Sequence, residues 1–161
     1  MVDTPSLLRD QVAVVTGASG DLGRAIALRM GASGARVVLH YRSRRAAAEE
    51  AAAAIRELGS EAELFQGDLV DGDAITRLMA CAAERWQRLD ILVNNATTLH
   101  DALTDTGPFW EKPLALTDIW EVGMRSHYTA AWHAAPLLLA NGQGLVVNTS
   151  SFGGRIYMHG P

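Results

Sequence analysis

Three short stretches place residue types where they could hold a charged ligand. Thr16-Gly17-Ala18-Ser19-Gly20-Asp21-Leu22-Gly23 spaces glycines three residues apart, between an apolar β-branched run and a helical pattern. Glycines in that context let the main chain approach a pyrophosphate, and the amides that open the helix hold its negative charge. A tight turn with no ligand is the alternative. Asp21 sets a carboxylate beside such a phosphate and is expected to turn away and cap the helix. Arg42, Arg44 and Arg45 follow a second apolar run, and a guanidinium can make a forked pair with a phosphate. Asn94 and Asn95 end a later apolar run, where unpaired amides would be costly. The single Cys81 excludes an internal disulfide and a Cys-based zinc site. No set of His, Asp and Glu has ligand spacing, so no metal is expected, and His127 and His133 read as core or interface residues. Trp110, Trp120 and Trp132 read as packing residues.

Alternating elements position these residues. Strands are expected at 12–15, 36–41, 62–66, 89–93 and 144–148, each a short apolar run. Helical patterns fill 22–30, 44–58 and a stretch from an Asp71 cap to about Trp86. Residues 97–115, with Pro108 and Pro113, read as a long loop, and 117–139 as one long helix. Strand–helix–strand repeated four times implies parallel strands with crossovers on both faces. The expected fold is a single α/β domain over 1–161, a doubly wound Rossmann-like sheet of order 3-2-1-4-5. Its ligands would bind at the carboxyl ends of the strands, where strands 1 and 4 meet.

Four motifs carry a family resemblance. They are Thr16-Gly17-Ala18-Ser19 with Gly23-Arg24-Ala25, Gly67-Asp68-Leu69, Asp90-Ile91-Leu92-Val93-Asn94-Asn95-Ala96, and Asn148-Thr149-Ser150-Ser151-Phe152-Gly153-Gly154. In this order, over residues 10–154, the chain resembles the short-chain dehydrogenase/reductase family. Phe109-Trp110-Glu111 with Val122-Gly123-Met124-Arg125-Ser126-His127-Tyr128 is similar to its dehydrogenase/reductase member 1 branch. The glycine spacing departs from the family's Thr-Gly-x-x-x-Gly-x-Gly form, whose middle glycine falls on Asp21, and matches the form used by its extended members.

The resemblance implies an NAD(P)-dependent oxidoreductase that moves a hydride between the cofactor and a small carbonyl or alcohol substrate. The expected cofactor-binding residues are Gly17, Ser19, Gly20 and Gly23 in the loop, Tyr41 and Arg42 at the second strand's end, Asp68 and Leu69 after the third, and Asn95 and Ala96 after the fourth. Asp68 takes the position of the family's adenine-contacting acid, with a helix cap as the alternative. Asn94 takes a strand-bridging one. A carboxylate selecting NAD would stand at Tyr41. None is near, and Arg42 follows, so NADP is preferred over NAD, a solvated arginine cluster being the alternative. Ser151 matches the catalytic Ser that orients the substrate carbonyl, with Ser150 the other candidate. The family's relay Asn falls on Gly123, which has no amide to offer.

The family's acid–base pair, Tyr-x-x-x-Lys, falls past Pro161. Tyr41, Tyr128 and Tyr157 are followed four residues on by Arg45, Trp132 and Pro161, and Lys112 is the sole lysine. The chain therefore reads as an N-terminal part, truncated after the fifth strand: a shortened product, a cut-off sequence or part of a longer protein. A non-catalytic NAD(P)-binding regulatory module and an inactive remnant are the competing readings. The resemblance also implies a homo-oligomer for the full-length form. The 161 residues carry a net charge of −4, 48% apolar and 20% charged residues, a globular balance that excludes disorder. No basic stripe suits nucleic acid, no apolar run reaches the ~20 residues of a membrane span, and no basic-then-apolar leader opens the chain. A soluble, cytoplasmic protein is expected.

Overall fold

In a computed structural model, which describes residues 6–150, the chain forms one sheet of five parallel strands in the order β3-β2-β1-β4-β5. These are β1 (Val12–Val15), β2 (Arg36–Tyr41), β3 (Ala62–Gln66), β4 (Ile91–Asn94) and β5 (Leu145–Asn148). All four residues of β1 are buried, because helices cover both faces. Side chains alternate across a strand, and two cores follow. Val12, Val14, Val38 and Leu92 pack with Ile75, Leu78 and Met79 on one face, while Ala13, Val15, Val37 and Ile91 pack with Ala27, Ala52 and Ile55 on the other.

The helices α1 (Asp21–Ala32), α2 (Arg45–Glu57) and α3 (Gly72–Trp86) lie within a few residues of their expected places. In α2 the inward positions Ala48, Ala51, Ala52 and Ile55 are buried, and alanine costs no side-chain entropy in a helix. Asp71 caps α3 as expected, accepting the Asp73 amide at 2.9 Å. Asp21 does not cap α1. Gly20 takes the cap position without a side-chain bond, and Asp21 is the first helical residue. From there its carboxylate lies past the position from which a side chain reaches the second and third amides, although its charge still suits the helix dipole.

The expected helix over 117–139 is interrupted. Short 3-10 turns at Asp101–Leu103, Phe109–Glu111 and Leu114–Thr117 punctuate the long loop. A single turn α4 (Asp118–Trp120) runs into a π-turn, Glu121–Arg125, and only then α5 (Ser126–Ala140) begins. The Ser126 hydroxyl donates to the Val122 carbonyl four residues back at 2.6 Å. Among the apolar side chains of this stretch, Met124 and Leu139 are exposed, Val122 and Leu138 are buried in the core, and Ile119 and Leu137 are half-buried. No helix among the described residues is long and apolar enough to cross a membrane.

Candidate functional site

The strand order reverses between β1 and β4, and a cavity of about 550 Å³ opens at their carboxyl ends. That volume lies in the range of small-molecule sites. Thr16, the residue after β1, knits the two strand ends together. Its hydroxyl accepts the Asn95 amide at 2.8 Å and the Ala96 amide at 3.0 Å, and donates to the Val93 carbonyl at 3.2 Å. The Asn95 side chain returns a bond to the Thr16 carbonyl at 3.0 Å. Asn94 bridges strands, its amide donating to Asn148 Oδ1 at 2.9 Å and to the His127 carbonyl at 3.2 Å.

The glycine loop packs directly on this turn. Gly17 takes φ +68°, and a Cβ there would stand 3.0 Å from the Ala96 Cα. A Cβ on Gly23 would run into the Gly17 carbonyl and approach Asn95 Nδ2 to 2.6 Å. These two glycines are therefore required by the protein's own packing, while the loop they shape presents Gly17, Ser19, Gly20 and Gly23 to the cavity.

Most of the expected residues converge on the same wall. Arg42, Asp68, Leu69, Asn95 and Ala96 line the cavity with the loop. Tyr41 does not: it is buried, and its carbonyl accepts the Gly67 amide at 3.1 Å. The three arginines divide. Arg42 and Arg44 line the cavity, Arg44 Nη2 standing 3.3 Å from where a Gly20 Cβ would be, whereas Arg45 lies outside it, paired with Glu49 at 2.7 Å. Asp68 accepts the Val70 amide at 3.0 Å in a turn of its own, leaving the cap of α3 to Asp71. Ser151, expected to be catalytic, lies outside the described residues, as does Tyr157. Gly123 stands in the π-turn, where a Cβ would meet Thr97 Oγ1 at 3.2 Å. Cys81 is half-buried, and burial pushes its thiol above the ordinary value. Among the described residues no group of three His, Cys, Asp or Glu side chains is placed to hold a metal.

Sequence reasoning missed other lining residues, notably His40, Val122 and Thr149. His40 is buried in β2, with Nδ1 accepting the Gly17 amide and Nε2 donating to the Gly67 carbonyl, both at 3.1 Å. Burial lowers its pKa to about 4, against smaller opposing effects of the Gly67 carbonyl and the Asp68 charge. A polar residue among the apolar ones of a buried strand was the available signal. Thr149 follows β5 and donates to Asn95 Oδ1 at 3.3 Å, continuing the wall.

The short chain dehydrogenase family profile matches residues 11–160. Dehydrogenase/reductase SDR family member 1 of Mus musculus and of Homo sapiens are each 37% identical over 158 residues, which are 94% of this chain and 49% of those proteins. The chain thus spans about half the length of these curated relatives. A metagenomic short-chain oxidoreductase, solved in complex with NADP, superposes with a TM-score of 0.84 at 35% identity, over 94% of this chain and 66% of that one.

Proposed function

Because the chain belongs to the short chain dehydrogenase family, we propose that its cavity binds NAD(P), with NADP preferred, as the cofactor half of an oxidoreductase acting on a small carbonyl or alcohol. The observation that carries this reading is the company kept at the switch point. A glycine loop opening α1 shares one cavity with Arg42 and Arg44, and β2 ends in Tyr41 rather than a carboxylate. The cavity suits the group: its main-chain wall is free of side chains at the glycines, and the first amides of α1 have no intrahelical partner. Gly17, Ser19, Gly20 and Gly23 would form the close wall against which the pyrophosphate lies, its charge met by the amides that open α1. Arg42, with Arg44 beside it, would hold a 2′-phosphate. Asp68 and Leu69 would flank the adenine, and Asn95 and Ala96 would reach the cofactor from β4. When bound, the nicotinamide supplies or accepts the hydride. Ser151 would orient the substrate carbonyl, with proton transfer left to a Tyr-x-x-x-Lys element that these 161 residues do not contain. The chain by itself therefore binds without turnover. A longer form would be a cytoplasmic homo-oligomer.

Fluorescence titration of the 161-residue chain with NADPH and NADH tests this. NADPH binds more tightly. Arg42→Ala weakens NADPH by roughly ten- to a hundredfold, the loss of one charge-assisted pair, and leaves NADH nearly unchanged. Equal losses would make the arginine structural, and no binding of either cofactor would sink the reading. A panel of ketones and aldehydes gives no NADPH oxidation above background.

A further inference from the structure

His40 is an unusual residue to find in the wall of this cavity. It is 3% exposed, yet its ring touches no other side chain by hydrogen bond. Both ring nitrogens are spent on main chain, and on two different loops. Nδ1 takes the amide of Gly17 in the β1–α1 loop, and Nε2 meets the carbonyl of Gly67 in the β3–α3 turn. The partners fix the tautomer, since an amide can only donate and a carbonyl only accept. His40 is therefore neutral with its proton on Nε2. Phe65 lies beside it, ring centroids 6.4 Å apart.

The same residue also holds the loop through its main chain, because the Ala18 amide donates to the His40 carbonyl at 2.8 Å. Two consecutive amides of the glycine loop are thus consumed by residue 40. An anion entering the cavity cannot use them and must meet the amides at the start of α1, where Asp21, Leu22 and Gly23 line the wall. On the other side, Gly67 and Asp68 line the same cavity.

We propose that His40 is a positioning residue of the dinucleotide site, a neutral clamp that fixes the glycine loop against the Gly67–Asp68 turn and so sets the cavity before the ligand arrives. The proposal rests on the reading of the cavity as a dinucleotide site. An apolar residue of similar size would leave a buried donor and a buried acceptor unpaired, and both loops would relax to find partners. Binding would then have to restore the order that His40 supplies in advance. A residue that only filled the core would have no reason to spend both nitrogens on two loops of one cavity.

The test compares the unmodified chain with His40→Leu and His40→Gln. Glutamine carries an acceptor and a donor on one side chain, so it can serve both loops. Circular dichroism identifies a temperature at which each variant is folded, and affinities for NADP and for 2′,5′-ADP are measured there. His40→Leu weakens both ligands by roughly tenfold to a hundredfold, the net effect of two hydrogen bonds, and His40→Gln recovers most of the loss. If His40→Leu binds both as the unmodified chain does, His40 is only structural and the proposal fails while the dinucleotide reading stands. If the unmodified chain binds neither ligand, both fail together. Should His40→Leu not fold, ¹⁵N spectra of the unmodified chain decide. A single neutral Nε2–H tautomer at pH 7 supports the clamp, and a protonated Nδ1 or mixed tautomers overturn it.

Discussion

Residue 40 also makes stability depend on pH. The folded state holds its imidazole neutral, with a pKa lowered to about 4 from 6.5 by burial. The unfolded chain binds a proton near 6.5. Between those values the unfolded state holds more protons, so stability falls as pH falls. The contribution is fully present above 6.5 and is lost as pH drops toward about 4. Asp68, the charged group opposing the shift, is too weak to reverse it. Urea unfolding from pH 7 to pH 5 is expected to show the unmodified chain losing about 2 kcal/mol more than His40→Gln, which has nothing to titrate there. Parallel profiles would mean that residue 40 takes its proton equally in both states. Glycine and arginine announced the cavity because their chemistry is readable in place: a glycine loop between a strand and a helix, and guanidinium groups after β2. His40 was not legible, since nothing local tells which loops a buried ring will reach. The division between Arg44 and Arg45 was partly legible, because Glu49 stands four residues after Arg45.

Among the elements, α3 offers the cleanest measure of what a single end contributes. Asp71 accepts the Asp73 amide at 2.9 Å and also lies 3.6 Å from the Arg77 guanidinium. The ion pair is exposed and contributes little. Asp71→Ala is expected to cost about 1 kcal/mol of unfolding free energy, and Asp71→Asn, which keeps the cap and discards the charge, to recover most of it. If Asn is as damaging as Ala, the ion pair is the larger effect. Caps and apolar periods made β1 to β5 and α1 to α3 legible. The region from 97 to 125 was not. Its 3-10 turns and its π-turn depend on how the loop settles over the strand ends, where Thr97 approaches Gly123. An apolar period continues through a π-turn, so the pattern alone reads as one helix.

At the scale of the whole molecule, an unburied stripe sets behaviour in solution. Trp110, Trp120 and Trp132 are exposed rather than packed as expected, and Trp120, Met124, Tyr128 and Trp132 recur every four residues, each at least 65% exposed, with Leu139 beyond them at 76%. A run of exposed large apolar side chains on a small domain favours association. Edge strand β5 adds exposed Leu145, Val146 and Val147. At tens of micromolar, size-exclusion chromatography of the chain is expected to show species above the 17.3 kDa monomer, and Met124→Glu with Trp132→Glu to shift them toward it. A monodisperse monomer without those substitutions would show the stripe to be inert.

The sheet order carries a consequence for how the chain is made. Val14 pairs with Val38 on one side and Leu92 on the other. The second partner leaves the ribosome 54 residues after the first, roughly 3 to 11 s later at ordinary rates of synthesis. During that interval the strand destined for the middle of the sheet has a neighbour on one side only. Its vacant side leaves amides and carbonyls to water while the nascent chain is still tethered, an open edge able to pair with another strand until β4 arrives.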